Sequence, residues 1–430
     1  MIRRLENQTD VLQFIRESHQ LNQRKLTDDI IDTLRYIEDK IQTEGDAALL
    51  HFTQIYDNVT INADQIKVTD SEIKSAFSQV PEHLVDALRS AHDNIKGFHA
   101  QQLPKSWENS PESGVRYGMK YTPINCACLY VPGGRAPYPS TVLMDAIPAK
   151  LAGVPHTYMM TPPQKDGSIA PEILVAASLC GVTDIYKVGG AQSIFASAYG
   201  TKTIPKSDKI VGPGNIYVNL AKQQVYGIVD IDKPAGPSDV LVITDDLKYA
   251  PFAASEMLAQ LEHDPLSIAI TLSTRPEVLS QIQIEIEAQL PTLSRQSVIS
   301  KSLENSALLL ASDTDELIGL SNTIAAEHLV ILEKNYDPIF NQITNAGAIF
   351  CGPYTPVALG DYFAGPNHVL PTSGTARFAS PLGIMDFMKF STHLTYSKTA
   401  LEKAAPTVKH LTDMEGFTAH YQSIDTRLRS

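Results

Sequence analysis

Tyr130-Val-Pro-Gly133-Gly134, Val188-Gly189-Gly190-Ala-Gln192 and Val211-Gly212-Pro-Gly214-Asn215 share one pattern, a short apolar run that stops in a glycine turn. Around them, Ala127–Val131, Thr157–Thr161, Ile185–Val188, Lys209–Val211, Val240–Thr244 and Ile268–Leu272 read as strands, separated by stretches with helical spacing. Strands that alternate with helices build parallel sheets joined by crossover helices, so the fold class is α/β. Glycine at the carboxyl end of a parallel strand lets backbone amides and helix N-termini approach a phosphate. A single such turn is ordinary punctuation between strand and helix. Three in one segment suggest a nucleotide-binding face, although the GxGxxG fingerprint is absent and the motif alone names no cofactor.

With 430 residues the chain exceeds one ordinary core and divides into two or more domains. Residues 1–25 read as a helical arm, 28–50 and 81–102 carry apolar positions at helical spacing, and the tail after Pro381 is mostly helical in pattern. The formal net charge of −13 argues against a nucleic-acid partner, which needs a basic face, and suits a cationic small substrate. No stretch reaches the ~20 uninterrupted apolar residues of a membrane helix, and Met1-Ile-Arg-Arg-Leu-Glu6 lacks a signal peptide's apolar segment; the expected place of action is the cytoplasm. Cys126, Cys128, Cys180 and Cys351 are too few and scattered for a disulfide framework and are expected as reduced thiols in the core.

The chemistry-bearing residues lie further along. Gln260 and His263 are three apart, in a helix expected to start near Pro251 and stop before Pro265, so both are expected in its last turn on one face. An amide oxygen and an imidazole at that spacing can hold one metal ion, and the negative end of the helix dipole would face the cation. The plainer reading is a surface glutamine and a capping histidine. Adjacent Glu327 and His328 form a candidate acid–base pair. Asp361, His368, Glu415 and His420 complete the list of carboxylates and imidazoles. Zinc accepts nitrogen and oxygen ligands and leaves positions open when catalytic. Gln260, His263, Asp361 and one more histidine make such a set; the spacing does not choose between His368 and His420.

These motifs, in order along nearly the whole chain, resemble the histidinol dehydrogenases, zinc- and NAD-dependent enzymes that complete histidine biosynthesis. The resemblance is carried by Tyr130-Val-Pro-Gly-Gly, Tyr138-Pro-Ser-Thr-Val-Leu-Met144, Val188-Gly-Gly-Ala-Gln192, Gly212-Pro-Gly-Asn215, Ala235-Gly-Pro-Ser238, Gln260-Leu-Glu-His263, Glu327-His328, Gly360-Asp361, Asn367-His-Val-Leu-Pro-Thr372 and Ser380-Pro-Leu-Gly383. It implies one zinc ion per subunit on Gln260, His263, Asp361 and His420, the last supplied across a homodimer. It implies histidinol contacts at Ser238, Gln260, His263, Glu327, His328, Asp361, Glu415 and His420, with Glu415 also supplied in trans, and NAD contacts at Tyr130, Gln192 and Asn215. His328 is then the base for alcohol oxidation, and Glu327 activates water for the aldehyde step. The architecture implied is two incomplete Rossmann-like domains in an intertwined homodimer: 26–129 with 238–382 carrying the zinc, 130–237 binding the nucleotide, and small helical segments at 1–25 and 383–430. Three residues depart from the family pattern: Asp239 where Glu is usual, Glu256 where Asp is usual, and Cys128 in place of a common Gly. Competing readings are a related dehydrogenase of another amino alcohol or a sulfonated diol, a zinc hydrolase without dinucleotide, and a non-catalytic binding protein. Glu415 and His420, the polar partners expected for histidinol, weigh against the first, the glycine turns against the second, and the full set of ligand and base candidates against the third.

Overall fold

The structure, a computed structural model, describes residues 2–19, 27–133, 137–234 and 236–429; Gly134 of the first glycine turn and Ala235 of the Ala-Gly-Pro-Ser motif lie outside them. Two parallel sheets organise the chain. One has five strands in the order Asp184–Tyr186, His156–Met160, Cys126–Tyr130, Lys209–Val211, Asp230–Ile231. The other has six, in the order Arg3–Leu5, Ala307–Leu310, Ile268–Ser273, Asp239–Ile243, His328–Ile331, Ala348–Cys351.

Helices cover both faces of each sheet, which is why the central strands carry apolar residues on both faces instead of alternating. On the five-stranded sheet Ala127, Leu129, Met159 and Val211 pack with the helices Asp70–Gln79, Glu82–Ala100, Pro139–Leu151 and Pro171–Leu179. Cys128, Tyr130, Tyr158 and Ile210 pack on the opposite face with Asp28–Glu44, Asp46–Asp57, Gly190–Tyr199 and Ile216–Val225. On the six-stranded sheet, Val240, Val242 and Val330 meet the helices Ala250–Leu261 and Pro276–Gln289, while Leu241, Leu329 and Ile331 meet Gln8–His19 and Thr314–Ile324. Burying each such Leu or Ile contributes ~1.5–3 kcal/mol.

This packing departs from the sequence reading in three places. Residues 28–100, expected with the zinc-bearing domain, clothe the five-stranded sheet, because the apolar faces of their helices share its two core layers. The N-terminal arm is not all helix; Arg3–Leu5 adds an edge strand beside Ala307–Leu310 before the helix Gln8–His19 begins. The C-terminal tail opens with a nine-residue strand, Met388–Tyr396, antiparallel to Val115–Pro123, which in turn pairs with Trp107–Asn109. Phe390 and Leu394 on that strand are exposed. The helices Lys398–Glu415 and Thr418–Arg429 follow and pack on each other. All four cysteines are free; Cys128 and Cys180 are buried as expected, whereas Cys126 and Cys351, also expected in the core, are only partly buried at its margin. Among the described residues no helix is long and apolar enough to cross a membrane.

Candidate active site

Glu327 and His328 stand at the amino end of the strand His328–Ile331, directly beside the amino end of Asp239–Ile243, in whose register His328 pairs with Val240. Glu327 and Asp239 hold each other reciprocally. The Glu327 amide donates to Asp239 Oδ1 at 2.8 Å, and the Asp239 amide donates to Glu327 Oε2 at 2.9 Å. The second Asp239 oxygen accepts from the Ser373 amide at 3.3 Å, pinning a residue whose φ of 54° lies in the left-handed region.

His328 Nδ1 lies 3.0 Å from the Asp239 carbonyl oxygen. A carbonyl only accepts, so Nδ1 carries the hydrogen and a neutral ring keeps its lone pair on Nε2. Nε2 is buried with no hydrogen-bond partner among the described residues, 3.8 Å from Asp361 Oδ1. Both members of the pair are out of water, Glu327 5% and His328 4% exposed. Burial raises the Glu327 carboxyl above its ordinary range against the pull of His328. For His328 burial works against the imidazolium, but Glu327 and Asp361 outweigh it and raise its affinity for a proton. A carboxylate and an imidazole so placed can exchange a proton between themselves and a bound molecule.

Gln260 occupies the last turn of the helix Ala250–Leu261, 4% exposed, and its amide has no hydrogen-bond partner among the described residues. His263 does not share that turn. The helix stops at Leu261 with Glu262 as its cap, and His263 sits in the following loop, its amide donating to the Gln260 carbonyl at 3.4 Å. Its ring opens to a cavity yet is crowded by protein, and that desolvation lowers its proton affinity below an ordinary imidazole's against the pull of Asp361. Asp361 lies in the short helix Val357–Tyr362. Burial would raise its carboxyl, but His328, then His368 and His263, outweigh it and keep it a carboxylate. His368 turns Nδ1 to the Asp361 carbonyl at 2.9 Å. The cavity, about 440 Å³, is lined among others by Leu84, Leu88, Tyr138, Ser140, His263 and Tyr362, and so opens between helices of the two sheets. Ser238 precedes Asp239, half-buried, its carbonyl accepting from the Ile268 amide at 3.1 Å.

At the carboxyl ends of the five-stranded sheet the glycine turns meet. The Gly190 amide donates to the Tyr130 hydroxyl at 3.2 Å. Gly212, at φ 114°, passes so close that a Cβ there would stand 2.0 Å from the Tyr130 carbonyl oxygen. Gln192 is 1% exposed and its Nε2 has no partner among the described residues. Asn215 caps the helix Ile216–Val225 by accepting from the amides of Tyr217 and Val218 at 3.0 and 3.1 Å, which leaves its side-chain NH2 free to donate.

Glu415 and His420 stand apart. Both are exposed on the C-terminal helices, and the His420 ring rests against Phe417, with centroids 5.2 Å apart. Within one chain, therefore, the structure groups Asp361, His263, His328 and His368 but does not add the two tail residues. No cluster of three or more His, Cys, Asp or Glu arranged for a metal occurs among the described residues; the expected donor set includes an amide and a residue from the tail. The clamp through Asp239, 88 residues from Glu327, carried no signal in the sequence beyond its departure from the family pattern.

The fold and site define an α/β enzyme, with a buried acid–base pair at the amino edge of one parallel sheet and glycine turns at the carboxyl edge of another. The sequence profile of the histidinol dehydrogenases matches residues 20–428. Histidinol dehydrogenase of Clostridium acetobutylicum is 47% identical over 408 residues, 95% of this chain and 94% of that one; that of Synechococcus sp. is 47% identical over 399 residues, 93% and 92% of the two chains. The crystal structure of histidinol dehydrogenase from Elizabethkingia anophelis superposes with a TM-score of 0.94 at 35% identity, covering 100% of this chain and 98% of that chain. The chain belongs to the histidinol dehydrogenase family.

Proposed function

We propose that this protein oxidises L-histidinol through L-histidinal to L-histidine with two NAD molecules, using one zinc ion per subunit, in the cytoplasm. The observation that carries this reading is the buried His328 Nε2, left without a partner beside Asp361 in a chain of this family. Gln260, His263 and Asp361 suit zinc: an unpartnered buried amide, an imidazole held neutral, and a carboxylate held ionised. Such an ion would be held by Gln260, His263 and Asp361, and it would supply a Lewis acid for the substrate's amine, imidazole and reacting oxygen. Tyr130, Gln192 and Asn215 suit a dinucleotide, with the unpartnered Gln192 amide and the free Asn215 NH2 as donors to it. A dinucleotide held there would supply the hydride acceptor for both steps.

In the first step His328 Nε2 takes the hydroxyl proton while hydride leaves the adjacent carbon, giving the aldehyde. In the second, Glu327 takes a proton from water as it adds to that aldehyde, and the hydrate loses hydride to become the carboxylate. One water and two NAD are consumed, and two NADH and three protons are released for each histidinol. Ser238 and the residues of the acid–base pair hold the substrate in this reading.

The homodimer belongs to the same proposal. Leu394 and Met414 are 67% and 75% exposed, and Leu411 and Phe417 are also exposed, in a tail too small to bury them itself. A two-fold partner that covers them would bring Glu415 and His420 of the partner subunit to each site. The purified protein with L-histidinol should form two NADH per alcohol consumed. NADH from another amino alcohol or a sulfonated diol but not from histidinol would overturn the substrate assignment; hydrolysis without NADH would overturn the dehydrogenase.

A further inference from the structure

Glu256 lies outside the proposed ligand and base set, yet it is half-buried and faces the same centre. It precedes Gln260 by one helical turn, so the two side chains leave the helix Ala250–Leu261 on one face. Its Oε2 accepts from the Val357 amide at 3.1 Å. Val357 is the first residue of the helix Val357–Tyr362 and precedes Asp361 by the same single turn. An amide at that position has no partner within its own helix, and a six-residue helix is too short to be stable unaided. It is held by its surroundings. Val357 packs in the core, Gly360 presses on Phe350 so closely that a Cβ would stand 2.6 Å from the ring, and Glu256 grips the leading amide.

We infer that Glu256 is a positioning residue for the metal ligands, its bond to the Val357 amide setting the helix that carries Asp361 in register with the helix that carries Gln260. The bond joins position 256 to 357, and the ligands lie one turn further along each helix, at 260 and 361. Loosening it lets the short helix pivot on Phe350 and carries the Asp361 carboxylate away from His263. Outer partners of this kind typically change metal affinity by ~10–100-fold when removed. The inference rests on the zinc reading above.

The test is zinc affinity of the full-length protein, stripped of metal and titrated against a chromophoric chelator, with melting of the metal-free forms followed in parallel. Glu256→Ala removes the grip, and Val357→Pro removes the N–H at a position where proline is at home, together with part of the Val357 side chain's core packing. Both should weaken zinc binding by ~10–100-fold; Glu256→Ala should do so with melting close to wild type, and the metal-free melting of Val357→Pro measures the packing it loses. Glu256→Gln keeps an oxygen acceptor and should bind zinc nearly as wild type does. Undiminished affinity in Glu256→Ala and Val357→Pro would overturn the positioning role, as would a loss in Glu256→Gln equal to that in Glu256→Ala, since charge and not register would then matter. Wild type and His263→Ala serve as controls: if neither takes up zinc, or both bind it equally, the zinc reading itself falls and the inference with it.

Discussion

Glu327→Gln separates the two oxidations. Glu327 Oε2 is already engaged by the Asp239 amide at 2.9 Å, so Oε1 alone is left to take a proton from water. A glutamine carbonyl can keep the Asp239 bond, while its NH2 then occupies the place of Oε1 and offers hydrogens where a base is required. The fold therefore changes little, but aldehyde oxidation loses its general base, a ~10²–10⁴-fold effect, or ~2.7–5.4 kcal/mol of barrier at 1.36 kcal/mol per decade. The alcohol step keeps His328 Nε2 and suffers far less. In stopped flow, the variant mixed with histidinol and NAD should give a rapid burst near one NADH per site, followed by a slow phase. Supplied with histidinal, it should show only the slow phase. His328→Ala should invert the pattern, slowing histidinol oxidation while leaving histidinal oxidation less affected. Equal losses on both substrates in the Glu327 variant would refute the division of labour.

Subunits carrying Gln260→Ala and His420→Ala, each inactive alone, should regain about a quarter of wild-type activity on equal mixing and exchange, because half the dimers are mixed and each of those has one intact site; no recovery would mean that His420 serves its own chain. Chelation should abolish turnover and Zn²⁺ or a similar divalent ion should restore it, with His263→Ala resembling the stripped enzyme; full turnover by a preparation shown to be metal-free would exclude the zinc reading. Burial pushes the Asp57 carboxyl up from 3.8 to about 6, with Oδ2 unpartnered among the described residues. Its folded form therefore binds a proton more tightly than the unfolded chain, and stability is lost as pH rises through that window. Asp57→Asn should gain melting temperature relative to wild type between pH 4 and pH 7, and a gap that does not change with pH would contradict the burial argument.

What the sequence made legible was chemistry that adjacent residues carry together. The glycine turns stood out because backbone must pass where a Cβ cannot, as Gly212 does against Tyr130. Glu327 and His328 stood out by being neighbours. The rest depended on partners far along the chain. Apolar spacing marked helical stretches at 28–50 and 81–102, not the helix Asp70–Gln79 between them, and not which sheet they would cover, since an amphipathic face is complementary to any apolar layer. The strand Met388–Tyr396 did carry a signal, with apolar residues at 388, 390, 394 and 396, masked by the helical pattern after it. His263 left its helix because the chain turns at Glu262, a boundary that periodicity places only within a residue or two. Glu256 and Asp239 act through backbone amides of residues 101 and 88 positions away, and no local pattern encodes that.

The reciprocal grip of Asp239 and Glu327 bears on how such an enzyme can be redesigned. Each side chain is held by the main chain of the other position, so neither site can be changed without altering the footing of its neighbour. Directly bonded residues show strong epistasis. A library that randomises position 327 alone would test every replacement against a scaffold shaped for glutamate, and most would fail for that reason and not for want of a suitable base. Positions 239 and 327 are one unit of inheritance for this active site and are best sampled as a pair.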